Sequence, residues 1–298
     1  MNNLMAVIDI GSLKVKLTVF DNQALDVICQ KSYLTFLGKN ISEDGNFNKE
    51  DLDKLDKAIF LIKEELSNLD CSDIKFIATE SLRVAKNTAD VYQIIEKYFP
   101  SHNTIILNQD IEGEMFFKAV SQCFKGEIIV AMDVGGGSVQ IFNGVFEDEH
   151  LVYNKYLYKT GTYILHQKYS PDMSIIEQEI NKVSNVVKKE YDSLDISNDV
   201  LVFGSSCMYD FLKASGIKLY NDRPIKKHPV YTKIEDLKEL LSRVVQFTPD
   251  NREHFYPEGN GFCRGADYLL INVIEAAERL GAKYIYPTNI NSSYGFIN

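Results

Sequence analysis

Met132-Asp133-Val134-Gly135-Gly136-Gly137-Ser138 lies directly after the apolar run Glu127-Ile128-Ile129-Val130-Ala131 and directly before the alternating Val139-Gln140-Ile141-Phe142. The pattern reads as a buried strand ending in a carboxylate, a turn of glycines, and a second strand. A tight strand-turn-strand connection calls for backbone angles with φ > 0, and missing side chains let N–H groups approach a phosphate directly. Asp133 then stands where a hydrated divalent cation would sit beside that phosphate. Near the N-terminus, Ala6-Val7-Ile8 leads into Asp9-Ile10-Gly11-Ser12 and then the alternating Val15-Lys16-Leu17-Thr18-Val19-Phe20. One glycine hairpin commonly does no more than turn the chain. Two copies with the aspartate in register point to an internal repeat, and so to two related domains facing each other across a cleft. Neither copy is a nucleotide P-loop or a dinucleotide fingerprint, since both of those open a helix.

The 298 residues, 45% hydrophobic and 25% charged, suffice for two domains with a large core. No apolar run reaches the length of a membrane span, and the N-terminus enters a strand within five residues. The expectation is a cytoplasmic protein with no membrane partner. Five scattered cysteines, Cys29, Cys71, Cys123, Cys207 and Cys263, read as buried free thiols. A net charge of −10 argues against nucleic acid as the main partner, so positive charge at a phosphate site has to be local.

Leu52, Leu55, Ile59, Ile62 and Leu66 recur at helical spacing and predict a helix over 49–68. Strands are expected at 74–78 and 104–107, a short helix at 90–98 before Pro100, and a helix from Asp110 to about Phe124. The second half repeats the scheme with a strand at 151–157 and a long helix carrying Ile176, Ile180, Val183, Val187 and Tyr191. A strand at 200–203, helices at 233–245 and 266–280 stopped by Gly281, and a last strand at 284–286 follow. Strands alternating with helices in this way give an α/β class. Residues 216–230, with two prolines, Arg223, Lys226, Lys227 and His228, read as a solvated loop, with a phosphate-contacting role as the alternative.

Taken together, Asp9-Ile10-Gly11-Ser12, Leu37-Gly38, Asp44-Gly45, Ala78-Thr79-Glu80-Ser81-Leu82-Arg83 with Asn87, the helix start around Glu112, and Met132 to Ser138 resemble a known family. It is the exopolyphosphatase and guanosine pentaphosphate phosphohydrolase family, in the superfamily of actin, sugar kinases and acetate kinase. The resemblance implies two actin-like (ribonuclease H-like) α/β domains, 1–122 and 123–298, facing each other across an active-site cleft. It also implies a metal-dependent phosphohydrolase that takes polyphosphate or a phosphorylated guanine nucleotide, with Mg²⁺ or Mn²⁺ as cofactor.

Hydrolysis of a phosphoanhydride needs a water activated by a base and charge neutralisation on the phosphoryl oxygens. By family position Glu112 is the catalytic base, although acidic residues also decorate first helical turns for electrostatic reasons, as Asp110 and Glu114 would. Asp133 and Asp9 are the expected metal residues, with capping of their own turns as the structural alternative. Gly11, Ser12, Gly135, Gly136, Gly137 and Ser138 would cradle phosphate. Arg83, which keeps the family's Thr-x-x-Leu-Arg spacing, would bind phosphate or fix the cleft wall.

The chain also departs from the family. Val139 and Gln140 stand where threonine and a metal-linked glutamate are usual, and Leu13, Lys14 and Lys16 alter the first motif. Glu80 replaces a small residue, Ser205-Ser206 a glycine pair, and Asn289-Ile290-Asn291 a late Asp-Gly-Gly. A phosphate- or nucleotide-binding module without turnover is therefore the competing reading, and a sugar-kinase-type phosphotransferase a third. The sequence leaves the oligomeric state open, a homodimer included.

Overall fold

The computed structural model describes residues 4–21, 26–38, 41, 45–69, 71–169, 177–204, 207–259 and 262–296. The chain divides into two compact units, Met1–Glu114 with Phe296–Asn298, and Met115–Gly295.

In the first unit β1 (Leu4–Ile10), β2 (Lys14–Asp21) and β3 (Asp26–Leu34) form an antiparallel meander. Helix α1 (Lys49–Ser67) leads to β4 (Cys71–Ala78), which pairs parallel with β1. The short α2 (Glu80–Val84) and α3 (Thr88–Tyr98) precede β5 (Thr104–Ile106), which pairs parallel with β4. The sheet order is β3-β2-β1-β4-β5. Every residue of β1 is buried, Asp9 included, as expected for a central strand paired on both edges. Helix α1 starts where the side chain of Asn48 accepts the N–H of Asp51, and it buries Leu55, Ala58, Ile59, Ile62 and Leu66 against this sheet.

Helix α4 (Gln109–Ser121) carries the unit boundary and continues as a 3₁₀ turn over Gln122–Phe124. In the second unit β6 (Ile129–Val134), β7 (Val139–Glu147) and β8 (His150–Tyr158) repeat the antiparallel meander. After α5 (Thr162–Tyr169) and α6 (Glu177–Glu190), β9 (Val200–Gly204) pairs parallel with β6. Helices α7 (Met208–Ala214), α8 (Ile234–Val244) and α9 (Ala266–Leu280) precede β10 (Tyr284–Thr288), parallel to β9. The order β10-β9-β6-β7-β8 is the first sheet's order replayed strand for strand. The α/β class and the duplication expected from the sequence are both present.

Both faces of the second sheet are covered. Val130, Met132 and Val134 of β6 pack on one core with α6, α8 and α9, and Ile129 and Ala131 pack on another with Phe116, Phe117 and Val120 of α4. Helix α9 is buried nearly all round and holds its polar groups in pairs. Asp267 meets the fully buried Arg252, and Asn272 accepts from the Tyr191 hydroxyl at 2.6 Å. Burial raises the Tyr191 phenol well above its ordinary range. Gly281 ends α9 in the left-handed conformation at φ 71°, as its sequence position predicts.

Several expectations change. Strand β3 and helices α2, α5 and α7 carry no clear sequence signal. All five cysteines are free, but only Cys263 is buried. Residues 217–233 are only partly solvated, since isolated bridges Tyr220↔Tyr231 and Ile225↔His228 shape them and Thr232↔Ile285 docks them on β10. Within that segment Arg223 pairs with Glu127, and His228 is fully buried against Phe124 and Tyr286. Ser205-Ser206, Asp44 and Ile176 lie outside the described residues.

Candidate functional site

In the first unit the carboxyl ends of three neighbouring parallel strands, β1, β4 and β5, carry the residues of interest. Thr79 N–H donates to the Ile10 carbonyl and Leu107 N–H to the Ala78 carbonyl, so these strand ends lie side by side. In open α/β sheets ligands bind outside such ends.

The β1–β2 turn closes through Gly11 N–H to the Lys14 carbonyl at 3.0 Å. The chain after β3 clasps it from outside. Thr35 and Phe36 N–H both donate to the Leu13 carbonyl at 3.0 Å, and Gly38 N–H donates to the Ser12 carbonyl at 2.7 Å. A Cβ on Gly38 would lie 2.7 Å from Cβ of Ser12, which explains the glycine of Leu37-Gly38. Asp9 is 3% exposed, and its Oδ2 lies 3.2 Å from Nζ of Lys16, its cross-strand partner. Its Oδ1 is buried and accepts no hydrogen bond.

Glu112 sits in the first turn of α4. The side chain of Asn108 accepts the N–H of Ile111 at 2.8 Å and the Asn108 carbonyl accepts Glu112 N–H at 3.0 Å, which fixes this turn. Arg83, projected by α2, donates through Nη1 to the Leu107 carbonyl at 2.5 Å and lies 3.2 Å from Oε2 of Glu112. Both side chains remain about a fifth to a quarter exposed, at 24% for Arg83 and 20% for Glu112. Arg83 therefore holds the candidate base in place, a partnership its sequence spacing did not disclose. Asn87, part of the same motif, is a backbone clamp. It accepts Phe47 N–H at 2.7 Å and donates back to the Phe47 carbonyl at 3.1 Å.

The second unit repeats the turn's closing hydrogen bond and register. Gly135 N–H donates to the Ser138 carbonyl at 2.9 Å, and Asp133 stands in register opposite Gln140 as Asp9 does opposite Lys16. Asp133 is half-buried, whereas Gln140 is 5% exposed with an Oε1 that has no hydrogen-bond partner. The start of α5 seats the turn. Thr162 N–H donates to the Gly135 carbonyl at 3.0 Å and Tyr163 N–H to that of Gly136 at 2.9 Å. Gly161 lies under it, where a Cβ would come within 2.3 Å of the Gly136 oxygen and 2.4 Å of Ser138 N. Sequence reasoning missed Gly161 because its partner is a turn some two dozen residues upstream. Gly136 itself is exposed, and Gly135, Gly137 and Ser138 are half-exposed.

At the ends of β9 and β10, Asn289 accepts the N–H of Tyr209 at 2.9 Å and donates to Asp210 at 2.7 Å. It thus caps the start of α7, which gives this departure from the expected Asp-Gly-Gly a structural role. Among the described residues no three His, Cys, Asp or Glu side chains cluster as a metal site. Asp133 with the orphan oxygen of Gln140 is a donor set that fits a cation retaining most of its waters.

The chain is similar to several known proteins. Over 197 residues the chain is 23% identical to a guanosine-5'-triphosphate,3'-diphosphate pyrophosphatase of Pseudoalteromonas translucida, a match covering 64% of this chain and 38% of the relative. It is 28% identical over 150 residues to exopolyphosphatase 1 of Mycobacterium leprae, covering 48% of this chain and 44% of the relative. The matches therefore span less than half the length of these relatives. The fold superposes on a Ppx/GppA family member from Aquifex aeolicus with TM-score 0.77 at 18% identity, covering 98% of this chain and 95% of that one. An exopolyphosphatase from Cytophaga hutchinsonii gives 0.78 at 16% identity, covering 98% and 96%. These structures share the actin-like two-domain fold. The model of the Ppx/GppA phosphatase family matches residues 18–256, and the chain belongs to that family.

Proposed function

We propose that this protein hydrolyses a terminal phosphoanhydride of polyphosphate or of a guanosine penta- or tetraphosphate, with Glu112 as the base that takes the proton of the attacking water. The observation that carries this reading is the Arg83–Glu112 pair at the carboxyl ends of the parallel strands, held by the Leu107 carbonyl and the Asn108 cap. A carboxylate fixed by a guanidinium and still reached by solvent is suited to orienting a water. The names of the two curated relatives support the substrate class.

Backbone N–H groups of Gly136, Gly137 and Ser138, with the Ser138 hydroxyl, and the N–H of Ser12 hold phosphate oxygens in this mechanism, while the Gly135 and Gly11 N–H groups close their turns. Asp133, with Gln140 beside it, would hold Mg²⁺ or Mn²⁺, which when bound neutralises phosphoryl charge. Arg83 keeps Glu112 oriented, and proton transfer ends on the Glu112 carboxylate.

The loss of a carboxylate at position 140 favours a second reading, a module that binds the same ligands without turnover. A phosphate-release assay separates the two. Purified protein is offered long and short polyphosphate, guanosine pentaphosphate and nucleoside triphosphates, with and without Mg²⁺ or Mn²⁺. Release that needs the cation and fails in Glu112→Gln is the expected result; micromolar binding with no release in any condition would leave the binding module.

A further inference from the structure

We propose that Lys16 is a built-in cation for Asp9, so that the first turn meets phosphate with the chain's own ammonium and only the second turn takes up a divalent ion. This inference rests on the reading of both turns as phosphate-binding.

The two turns share their closing hydrogen bond and their strand register, and they differ in the residue that faces each aspartate. Asp9 faces Lys16 and Asp133 faces Gln140. Directly opposed residues on an antiparallel pair project from the same face with Cβ atoms about 5 Å apart, so each partner is delivered to its carboxylate by the sheet itself. Lys16 uses that placement to set Nζ 3.2 Å from Oδ2 of Asp9. A divalent ion on the same carboxylate would stand within a few ångströms of this ammonium, and like charges at that range repel strongly. At the second turn the facing side chain carries no charge, and its buried amide oxygen has no hydrogen-bond partner, an oxygen donor of the type hard cations accept.

Asp9 is 3% exposed and buried on a central strand, so its charge has to be compensated locally. Lys16 keeps 18% of its side chain accessible and lies two residues beyond Lys14, which closes the turn. The ammonium thus neutralises Asp9, so the turn does not confront a phosphate with a buried negative charge. In a chain of net charge −10 this lowers the repulsion that a polyanion meets at the turn.

The test measures Mn²⁺ stoichiometry by electron paramagnetic resonance of free Mn²⁺ on chelator-stripped full-length protein, for wild type, Asp9→Asn, Lys16→Met, the double variant and Asp133→Asn. Wild type and Asp9→Asn are expected to bind the same number of ions. Lys16→Met should gain one ion, show a larger rise in melting temperature with Mn²⁺ than wild type, and lose both gains in the double variant. In chelator, tripolyphosphate binding should weaken about tenfold in Lys16→Met and recover with Mn²⁺. Loss of an ion in Asp9→Asn, or folded Lys16→Met that binds no additional ion, would overturn the proposal. If Lys16→Met does not fold, the Asp9→Asn stoichiometry decides alone. Asp133→Asn reports separately on the metal assigned to the second turn, so failure of that assignment is distinguishable from failure of the Lys16 role.

Discussion

Glu112 illustrates how a residue with an ordinary position acquires a role from its neighbours. An acidic side chain in a first helical turn is unremarkable, since the helix dipole favours it there. What sets Glu112 apart is Arg83, reached across 29 positions and anchored at the same time to the Leu107 carbonyl. Glu112→Gln keeps size and hydrogen-bonding capacity but removes the proton acceptor, so turnover should fall by about 10² to 10⁴-fold with ligand binding little changed. Single-turnover phosphate release beside equilibrium binding measures both, and a variant as fast as wild type would remove Glu112 from the mechanism. Gln140 supplies a second residue-scale test. Gln140 stands in register opposite Asp133 and its Oε1 is buried without a hydrogen-bond partner, so Gln140→Glu adds a second carboxylate at the pair and should tighten Mn²⁺ binding. An unchanged Mn²⁺ titration would show that position 140 takes no part in holding the ion. The sequence showed both residues as departures or matches, but the cross-strand pairing that gives them meaning depends on register, which spacing alone leaves open.

At the scale of elements, the sequence was most readable where one periodicity governs a long segment. Helix α1 and helix α9 follow from their apolar repeats, and the two glycine hairpins from strand alternation around a turn. Strand β3 was not legible because its alternation runs through Cys29, Gln30, Lys31 and Ser32, and half-exposed edge positions tolerate such residues. Helices α2 and α5 are too short for a 3.6-residue period to emerge, yet they place Arg83 and seat the second turn. Gly161 is the clearest case. No backbone angle demands a glycine there; the close approach of the Gly136–Ser138 backbone does. Gly161→Ala forces that backbone to shift, at a cost of about 1 to 3 kcal/mol by the usual scale for overpacking. A lowered urea midpoint together with weakened phosphate binding is the expected pair of results. A loss of stability with phosphate affinity intact would instead show that the turn's amides do not hold the ligand.

For the molecule as a whole, the duplicated topology was the most legible feature, because two copies of one motif in register imply two copies of its sheet. Less legible was the way buried polar groups are compensated, since their partners come from distant segments. His228 is such a group, and it links the whole fold to pH. It is fully buried between Phe124 and Tyr286, with Nδ1 close to the Lys226 carbonyl and no partner on Nε2. Burial pushes the imidazole down from its ordinary 6.5 to about 4, because the charged form would lose its hydration. Above 6.5 neither the folded nor the unfolded chain is protonated there, and folding carries no penalty from this group. As pH falls from 6.5 towards 4 the unfolded chain takes up the proton first, so stability declines, by up to roughly 3 kcal/mol once pH is below the folded value. The overall charge works in the other direction over much of this range, since the chain is acidic with an isoelectric point near 5.1 and self-repulsion shrinks as that point is approached. A decline between pH 6.5 and about 5.1 thus points away from net charge and towards buried groups such as this one. His228→Phe fills the same aromatic pocket without a titrating nitrogen and should flatten most of that decline. Urea unfolding at several pH values, at protein concentrations low enough to stay soluble near the isoelectric point, gives the comparison. Equal slopes in the variant and the wild type would transfer the acid sensitivity to the carboxylates and clear His228 of it.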